Sequence, residues 1–250
     1  MTKIILTGAC GKMGKVIQAL VSNREDCTII AGVDKYNDGS SDFPIYDTID
    51  KVSEEADVII DFSNPALLND LLAFSTGKKM PVVIATTGFD ECQKKQIQDA
   101  SKQTAVFFTY NMSLGINLLA VLAKKAVDVL GDDFDIEIIE KHHNQKIDAP
   151  SGTALMLADA ICEEIEQPMK YEYDRHAKRE KRTKNEIGMH AVRGGTIVGE
   201  HEIIFAGRDE IITLSHSARS KELFAVGAVN AAVFMSGKTS GLYDMSEMVK

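Results

Sequence analysis

The stretch from Glu140 to Thr153 reads Glu-Lys-His-His-Asn-Gln-Lys-Ile-Asp-Ala-Pro-Ser-Gly-Thr. It places two adjacent imidazoles, one ammonium and a helix start close together. An imidazole has an ordinary pKa of about 6.5, so His142 or His143 can move a proton at neutral pH. Phe134 to Ile139 is rich in β-branched residues and reads as a strand. Side chains alternate along a strand, so His142 and His143 point opposite ways if the strand reaches them. Pro150 stops the extended run, and Ser151 is a good N-cap for Ala154-Leu-Met-Leu-Ala158. The amides of Gly152 and Thr153 then stand at the positive end of a helix, where a carboxylate or phosphate binds. Lys146 adds a full charge for the same anion. The chemistry this allows is proton delivery beside a held anion.

A second constellation lies near the N-terminus. The apolar strand Lys3 to Thr7 runs into Gly8-Ala-Cys-Gly-Lys-Met-Gly14, and the helical pattern Val16 to Val21 follows. Strand, glycine loop and helix are the context of a dinucleotide fingerprint. Cys10 stands where the common form has its second glycine, and Gly11 can still let backbone approach a pyrophosphate. The next strand, Thr28 to Val33, ends in Asp34, twenty positions after Gly14. An acid there suits ribose hydroxyls. Lys35 follows and could attract a 2′-phosphate instead. Thr86 and Thr87 sit at the carboxyl edge of the strand Pro81 to Ala85, where ligands bind in open α/β sheets.

Glu140-x-His-His-x-x-Lys-x-Asp-Ala-Pro-Ser-Gly-Thr-Ala154 resembles the signature of the dihydrodipicolinate reductase family. The resemblance continues through Gly8 to Gly14, Asp57 to Ser63, Thr86 to Phe89, Asn111 to Asn117, Val192 to His201 and Ser236 to Met245, nearly the whole chain. Gln145 departs from it, since some members carry another His there. The resemblance implies reduction of 4-hydroxy-tetrahydrodipicolinate, with loss of water, to tetrahydrodipicolinate in lysine and diaminopimelate synthesis. It implies NADH or NADPH as cofactor and a small dicarboxylate cyclic imine as substrate. By match to the motif, His142 is the proton donor and Lys146 the second donor and anion partner. His143, Gly152 and Thr153 bind substrate. Gly8, Ala9, Cys10, Gly11, Lys12, Met13, Asp34, Lys35, Ala85, Thr86, Thr87, Thr109, Tyr110, Asn111 and Met112 hold the cofactor. The resemblance also implies a homotetramer. The rival readings are a dehydrogenase for another small dicarboxylate and a non-catalytic dinucleotide sensor.

The composition is that of an ordinary globular protein, 250 residues with 44% hydrophobic and 26% charged. A net charge of −9 argues against general nucleic-acid binding. No apolar run of about 18 residues occurs, so no membrane span is expected. Four cysteines without Cys-x-x-Cys spacing argue against a zinc site or disulfides and fit a cytoplasmic protein. No signal-peptide pattern precedes the first strand.

The elements that must position these residues follow from periodicity. Strands alternate with helices through the first ~110 residues, which predicts a parallel doubly wound sheet. Ser113 is expected to cap a helix whose apolar face includes Leu118, Leu119, Leu122 and Val129. The basic run 175–184 reads as a solvated, mobile loop. His190 to Arg193, Thr196 to Phe205 and Glu210 to His216 read as successive strands, with Gly194-Gly195 and Gly207 to Asp209 as turns. Glu200-His201-Glu202 lacks a second ligand four residues away and reads as strand surface, not a metal site. The expected fold class is α/β. A Rossmann-type dinucleotide domain, 1–112 plus 222–250, carries an inserted α/β domain, 113–221, for substrate binding and oligomerisation.

Overall fold

The structure is a computed structural model and describes residues 1–249. In chain order the strands are β1 (Thr2–Thr7), β2 (Cys27–Val33), β3 (Ile45–Tyr46), β4 (Val58–Asp61), β5 (Val82–Ile84), β6 (Ala105–Phe108), β7 (Asp135–His142), β8 (Lys170–Glu172), β9 (Glu186–Arg193), β10 (Gly199–Ala206), β11 (Ile211–Ala218) and β12 (Gly241–Tyr243). The α-helices are α1 (Lys12–Val21), α2 (Leu68–Lys78), α3 (Glu91–Ala100), α4 (Leu114–Leu130), α5 (Gly152–Cys162) and α6 (Glu222–Met235). They form two compact units. One comprises Met1–Ser113 with Glu222–Met248, and the other Leu114–Lys221.

The first unit is a parallel sheet in the order β12-β6-β5-β4-β1-β2-β3. Its central strands are apolar on both faces, with Ile4, Ile5, Leu6, Ile59, Ile60, Val82, Val83 and Ile84 fully buried. That is the mark of a sheet covered by helices on both sides. Residues of α2 and α3 close one face over Ile5, Ile59, Val82 and Val106. The start of α3 is fixed by a capping box, in which Asp90 and Gln93 bond each other's backbone amides. The helix α6 is buried nearly all round, through Ala225, Ala228, Ala231 and Ala232. Such small side chains suit close packing of a helix. The chain runs outward from β1 in both directions, so the switch in strand order falls between β1 and β4. A crevice opens there at the carboxyl ends of the strands.

The second unit is a mixed sheet in the order β11-β10-β7-β9-β8. One face packs Ile136, Ile138, Ile187, Met189, Ile203 and Phe205 against Ile116, Leu119, Ala123 and Val127 of α4 and Ala154, Leu157 and Ile161 of α5. Burying one such side chain stabilises by about 1.5–3 kcal/mol. The opposite face carries no helix of this unit. It presents Glu137, Ile139, Lys141, His190, Val192, Glu202 and Ile204.

Four expectations are corrected. First, the buried stripe of α4 is Ile116, Leu119, Ala123 and Val127, whereas Leu118, Leu122 and Val129 are exposed. The helix has two apolar stripes, and only one meets the sheet. Second, Gly194-Gly195 does not close a hairpin. β7 lies between β9 and β10, parallel to the first and antiparallel to the second. β10 and β11 do form one. Third, the basic loop is tied down. Arg182 donates to Glu137 Oε1 at 3.0 Å, Asp135 Oδ1 at 3.0 Å, and the carbonyls of Ile136 at 2.9 Å, Thr183 at 2.9 Å and Glu186 at 2.6 Å. Arg175 pairs with Glu186, and Lys178 with Glu172. The loop's charge is answered by acids of the sheet it borders. Fourth, His201 is buried, not on the strand surface.

Candidate active site

In the first unit a cleft of about 510 Å³ opens at the switch point. Gly8, Gly11, Asp34 and Lys35 line it, as do Thr7, Asp61, Ser63, Thr48, Ile49 and Asp70. Gly8 has φ +71, and a Cβ there would collide with the carbonyl of Phe62. Only glycine lets the loop pass so close to the end of β4. Gly11 is the N-cap of α1 and offers no side chain to the first amides of the helix. Those amides remain for an anionic ligand.

Asp34 already has backbone partners. Its Oδ2 accepts from the amide of Cys10 at 2.9 Å and its Oδ1 from the amide of Tyr36 at 3.1 Å. The carboxylate therefore fastens the glycine loop to the end of β2. Across the cleft, Thr7 donates to Asp61 Oδ1, and Ser63 donates to the same oxygen at 2.5 Å. The amide of Ser63 donates to Thr86 Oγ1 at 2.9 Å. The open glycine edge, the uncapped helix start and the acid at the end of β2 fit a dinucleotide.

The other cofactor candidates distribute around this edge. Ala9 is fully buried, and burial pushes the Cys10 thiol up. Lys12 and Met13 open α1. Ala85, Thr86 and Thr87 follow β5, and the amide of Ala85 donates to the carbonyl of Asp61 at 2.9 Å. Thr109 to Met112 follow β6. Tyr110 is exposed, with Lys94 Nζ 5.6 Å from its ring centre. Asn111 Oδ1 accepts from the amide of Ser113 at 2.8 Å. Met112 is buried, and its carbonyl meets α6 at Gly227. Asp61, Ser63 and Thr48 were not singled out from the sequence. The signal for the first two was their place at the end of an apolar strand.

In the second unit the polar cluster stands at the end of β7, where α5 begins. Ser151 is the N-cap of α5, and its Oγ accepts from the amide of Ala154 at 3.2 Å. Glu140 has no exposed surface. Its Oε2 lies 2.6 Å from His142 Nδ1, and its Oε1 accepts from the amide of Ser151 at 2.9 Å. Arg193, on β9, grips both oxygens, with Nη1 to Oε2 at 2.7 Å and Nη2 to Oε1 at 2.6 Å. Burial pushes the Glu140 carboxyl up, but the hydrogen bonds from Arg193, His142 and Ser151 outweigh it and hold the group below the ordinary carboxylate range.

His142 packs edge-on to His201, with ring centres 5.2 Å apart. His201 Nε2 lies 3.1 Å from Ser151 Oγ. Burial, then the charge of His142, lowers the His201 pKa to about 4. It is a neutral partner at neutral pH. The strand ends at His142, so the alternation does not carry to His143, which begins the turn. The carbonyl of His143 accepts from the amide of Lys146 at 3.2 Å, and its buried Nδ1 has no hydrogen-bond partner. Lys146 Nζ pairs with Asp148 Oδ1 at 2.8 Å. That hydrogen bond holds the Asp148 carboxyl below its ordinary range. Gly152 is exposed and Thr153 half-buried in the first turn of α5. The structure thus brings His142, Lys146, Gly152 and Thr153 to one end of one sheet. It adds Glu140, Arg193 and His201, whose roles the sequence did not disclose, and gives Ser151, the expected N-cap, a second contact to His201.

The chain matches two family descriptions, "Dihydrodipicolinate reductase, N-terminus" over residues 2–112 and "Dihydrodipicolinate reductase, C-terminus" over residues 115–249. It is 52% identical over 250 residues to the 4-hydroxy-tetrahydrodipicolinate reductase of Caldanaerobacter subterraneus subsp. tengcongensis, covering 100% of this chain and 99% of that one. It is 50% identical to the enzyme of the same name from Clostridium novyi, with the same coverage. Among solved structures it is similar to a dipicolinate-bound dihydrodipicolinate reductase from Paenisporosarcina sp. TG-14, with TM-score 0.81 and 25% identity over 100% of both chains. Two matched halves and relatives at this identity over the full length show that the chain belongs to the dihydrodipicolinate reductase family.

Proposed function

We propose that His142 delivers the proton in the reaction of this family. The chain is an oxidoreductase for 4-hydroxy-tetrahydrodipicolinate, which it reduces, with loss of water, to tetrahydrodipicolinate in lysine and diaminopimelate biosynthesis. Its cofactor is NADH or NADPH. Bound nicotinamide supplies the hydride, and one proton remains to be delivered to the reduced ring system. The observation that carries the assignment is the 2.6 Å contact between His142 Nδ1 and the buried, ionised Glu140. A carboxylate has no proton to give, so Nδ1 donates to it and Nε2 is the atom left to exchange protons. Lys146 provides charge beside the developing anion. The first turn of α5, with Gly152, Thr153 and the neighbouring His143, receives a substrate carboxylate.

In the first unit, the glycine loop Gly8 to Met13 and the carboxyl ends of β5 and β6, with Ala85 to Thr87 and Thr109 to Met112, hold the cofactor. Asp34 binds the adenosine ribose and Lys35 offsets its charge, so both cofactors serve and NADH is favoured. The chain works in the cytoplasm, consistent with four free cysteines. It assembles as a homotetramer through the helix-free face of its second sheet, where Val192 and Ile211 are exposed.

A coupled spectrophotometric assay with freshly generated substrate, run with NADH and NADPH in parallel, tests this. Wild type turns over with both, and His142→Gln loses about 10²–10⁴-fold in turnover while binding NADH normally. Thr153→Val keeps the backbone amide and chiefly raises KM. Asp34→Ala weakens NADH use more than NADPH use. A His142→Gln enzyme with wild-type turnover, or one defective only in NADH binding, refutes the role.

A further inference from the structure

The arrangement around Glu140 goes past naming a proton donor. Both carboxylate oxygens are saturated, each by one Arg193 nitrogen and by one further donor, His142 Nδ1 or the amide of Ser151. Four donors on one buried carboxylate fix its plane. Arg193 is itself fixed, since Nη1 donates to the carbonyl of Val192 at 2.7 Å and Nη2 to the carbonyl of Asp148 at 2.6 Å. The ring of His142 is therefore hydrogen-bonded through Nδ1, with His201 packed edge-on beside it. Gly199 faces Nε2 with no side chain, so nothing of that residue replaces the hold on Nδ1.

A bare carboxylate beside an imidazole favours the imidazolium and slows its release of a proton. The guanidinium of Arg193 supplies an opposite charge to the same carboxylate at equal range. We propose that Glu140 and Arg193 act together as positioning residues for His142. Glu140 sets the tautomer that leaves Nε2 to carry the proton, and Arg193 cancels enough of the Glu140 charge for His142 to give that proton up. This deepens the reading of His142 as the proton donor and rests on it.

The charged and titratable groups that face His142 bear on the test. Glu140 stands on its own strand, Arg193 on β9 and His201 on β10, with His216 opposite His201 on β11. The loop before α5 adds Lys146 and Asp148. His201 is neutral above about pH 4. The charges nearest His142 are then those of Glu140 and Arg193, with the Lys146–Asp148 pair adding two opposite ones.

The direct test is nitrogen NMR of the imidazoles in the full-length protein, with His142 assigned by its absence in His142→Gln. In wild type the neutral ring is expected to carry its proton on Nδ1, and a ring protonated on Nε2 overturns the proposal without any variant. Glu140→Gln keeps the shape, and Arg193→Gln removes the charge. Their His142 titration midpoints are expected to move in opposite directions, down for Glu140→Gln and up for Arg193→Gln. The pH limit of turnover should follow each midpoint. Arg193→Lys, which retains the charge, should return the midpoint toward wild type. Turnover in the two Gln variants should fall by about tenfold or more, and by no more than the 10²–10⁴-fold of a lost general acid. Midpoints that stay put or move together overturn the proposal even where turnover falls. Should either Gln variant not fold, the wild-type tautomer and Arg193→Lys still decide. Because the NMR reads no activity, a normal Nδ1 tautomer alongside a fully active His142→Gln enzyme would separate failure of the donor role from failure of the positioning.

Discussion

A Cβ added to Gly199 would stand 3.1 Å from Nε2 of His142. Gly199 is the first residue of β10, and its absent side chain leaves room beside Nε2, the edge proposed to carry the proton.

Gly199→Ala therefore isolates access to Nε2. Gly199 carries no positive φ, so alanine suits the backbone and by itself would stabilise the strand slightly. The added methyl crowds His142 by a few tenths of an ångström relative to ordinary contact. The expected outcome is a turnover about tenfold lower, since misplacement on the ångström scale costs up to about 10²-fold. The melting temperature should be unchanged or higher. Steady-state kinetics with a thermal melt on the same sample checks it, and unchanged turnover would show that Nε2 works from another side.

Lys146 meets its anion already neutralised. Its ammonium is paired with Asp148 at 2.8 Å, and Asp148 is held ionised by that bond. Under the proposed role of Lys146, a dianionic substrate competes with Asp148 for the same charge. Asp148→Asn is then expected to tighten substrate binding, lowering KM by about threefold to tenfold, and Lys146→Ala to weaken it and lower turnover. Steady-state kinetics decides. Weaker binding in Asp148→Asn would mean that Asp148 orients the lysine for the substrate instead of competing with it.

How far such features could be read beforehand depended on how local they are in sequence. The glycine loop, Asp34 and the capped start of α5 are contiguous signals, and the structure has them where the spacing put them. The start of α3 is local in the same way, since Asp90 and Gln93 form its capping box three residues apart. The place of β7 between β9 and β10 was not, because pairing across dozens of residues leaves no local pattern. The strands β3, β8 and β12 are two or three residues long, too short for any periodicity. In α4 two apolar stripes of equal strength compete, and only the partner sheet chooses between them. At the site, His142 and Lys146 stood out by type, while Arg193 reads as an ordinary strand end. Its partner Glu140 lies 53 positions away and met no expectation beyond membership in the motif.

The basic loop separates into a fastener and two spectators. Arg182 is only 17% exposed at its side chain and makes five hydrogen bonds, whereas Arg179 and Lys181 are exposed. Arg182→Ala should destabilise by about 2–3 kcal/mol, through lost charged hydrogen bonds, with Glu137 left to its contact with His190 alone. Arg179→Ala and Lys181→Ala should each stay within about 0.5 kcal/mol. None should change turnover at saturating substrate. Urea denaturation resolves the three, and equal effects would dissolve the distinction.

Acid sensitivity is expected from His201. Its pKa falls from 6.5 to about 4 on folding, by burial first and then by the charge of His142. Between those values the unfolded chain holds a proton that the folded chain does not. Stability from this group is therefore complete above about pH 6.5 and is lost as pH falls through the window, by up to roughly 3 kcal/mol, with no further loss below about pH 4. His216, lowered by burial too, acts in the same direction. His201→Gln removes the titration and keeps a polar group that can reach Ser151. Its stability at pH 6.5 is expected to be no better than wild type, because the ring packing with His142 is lost. The slope is the readout. Urea midpoints measured at pH 4, 5 and 6.5 should fall less steeply in His201→Gln than in wild type. Parallel slopes would mean that folding leaves the His201 pKa unchanged, and that the acid response belongs to other groups.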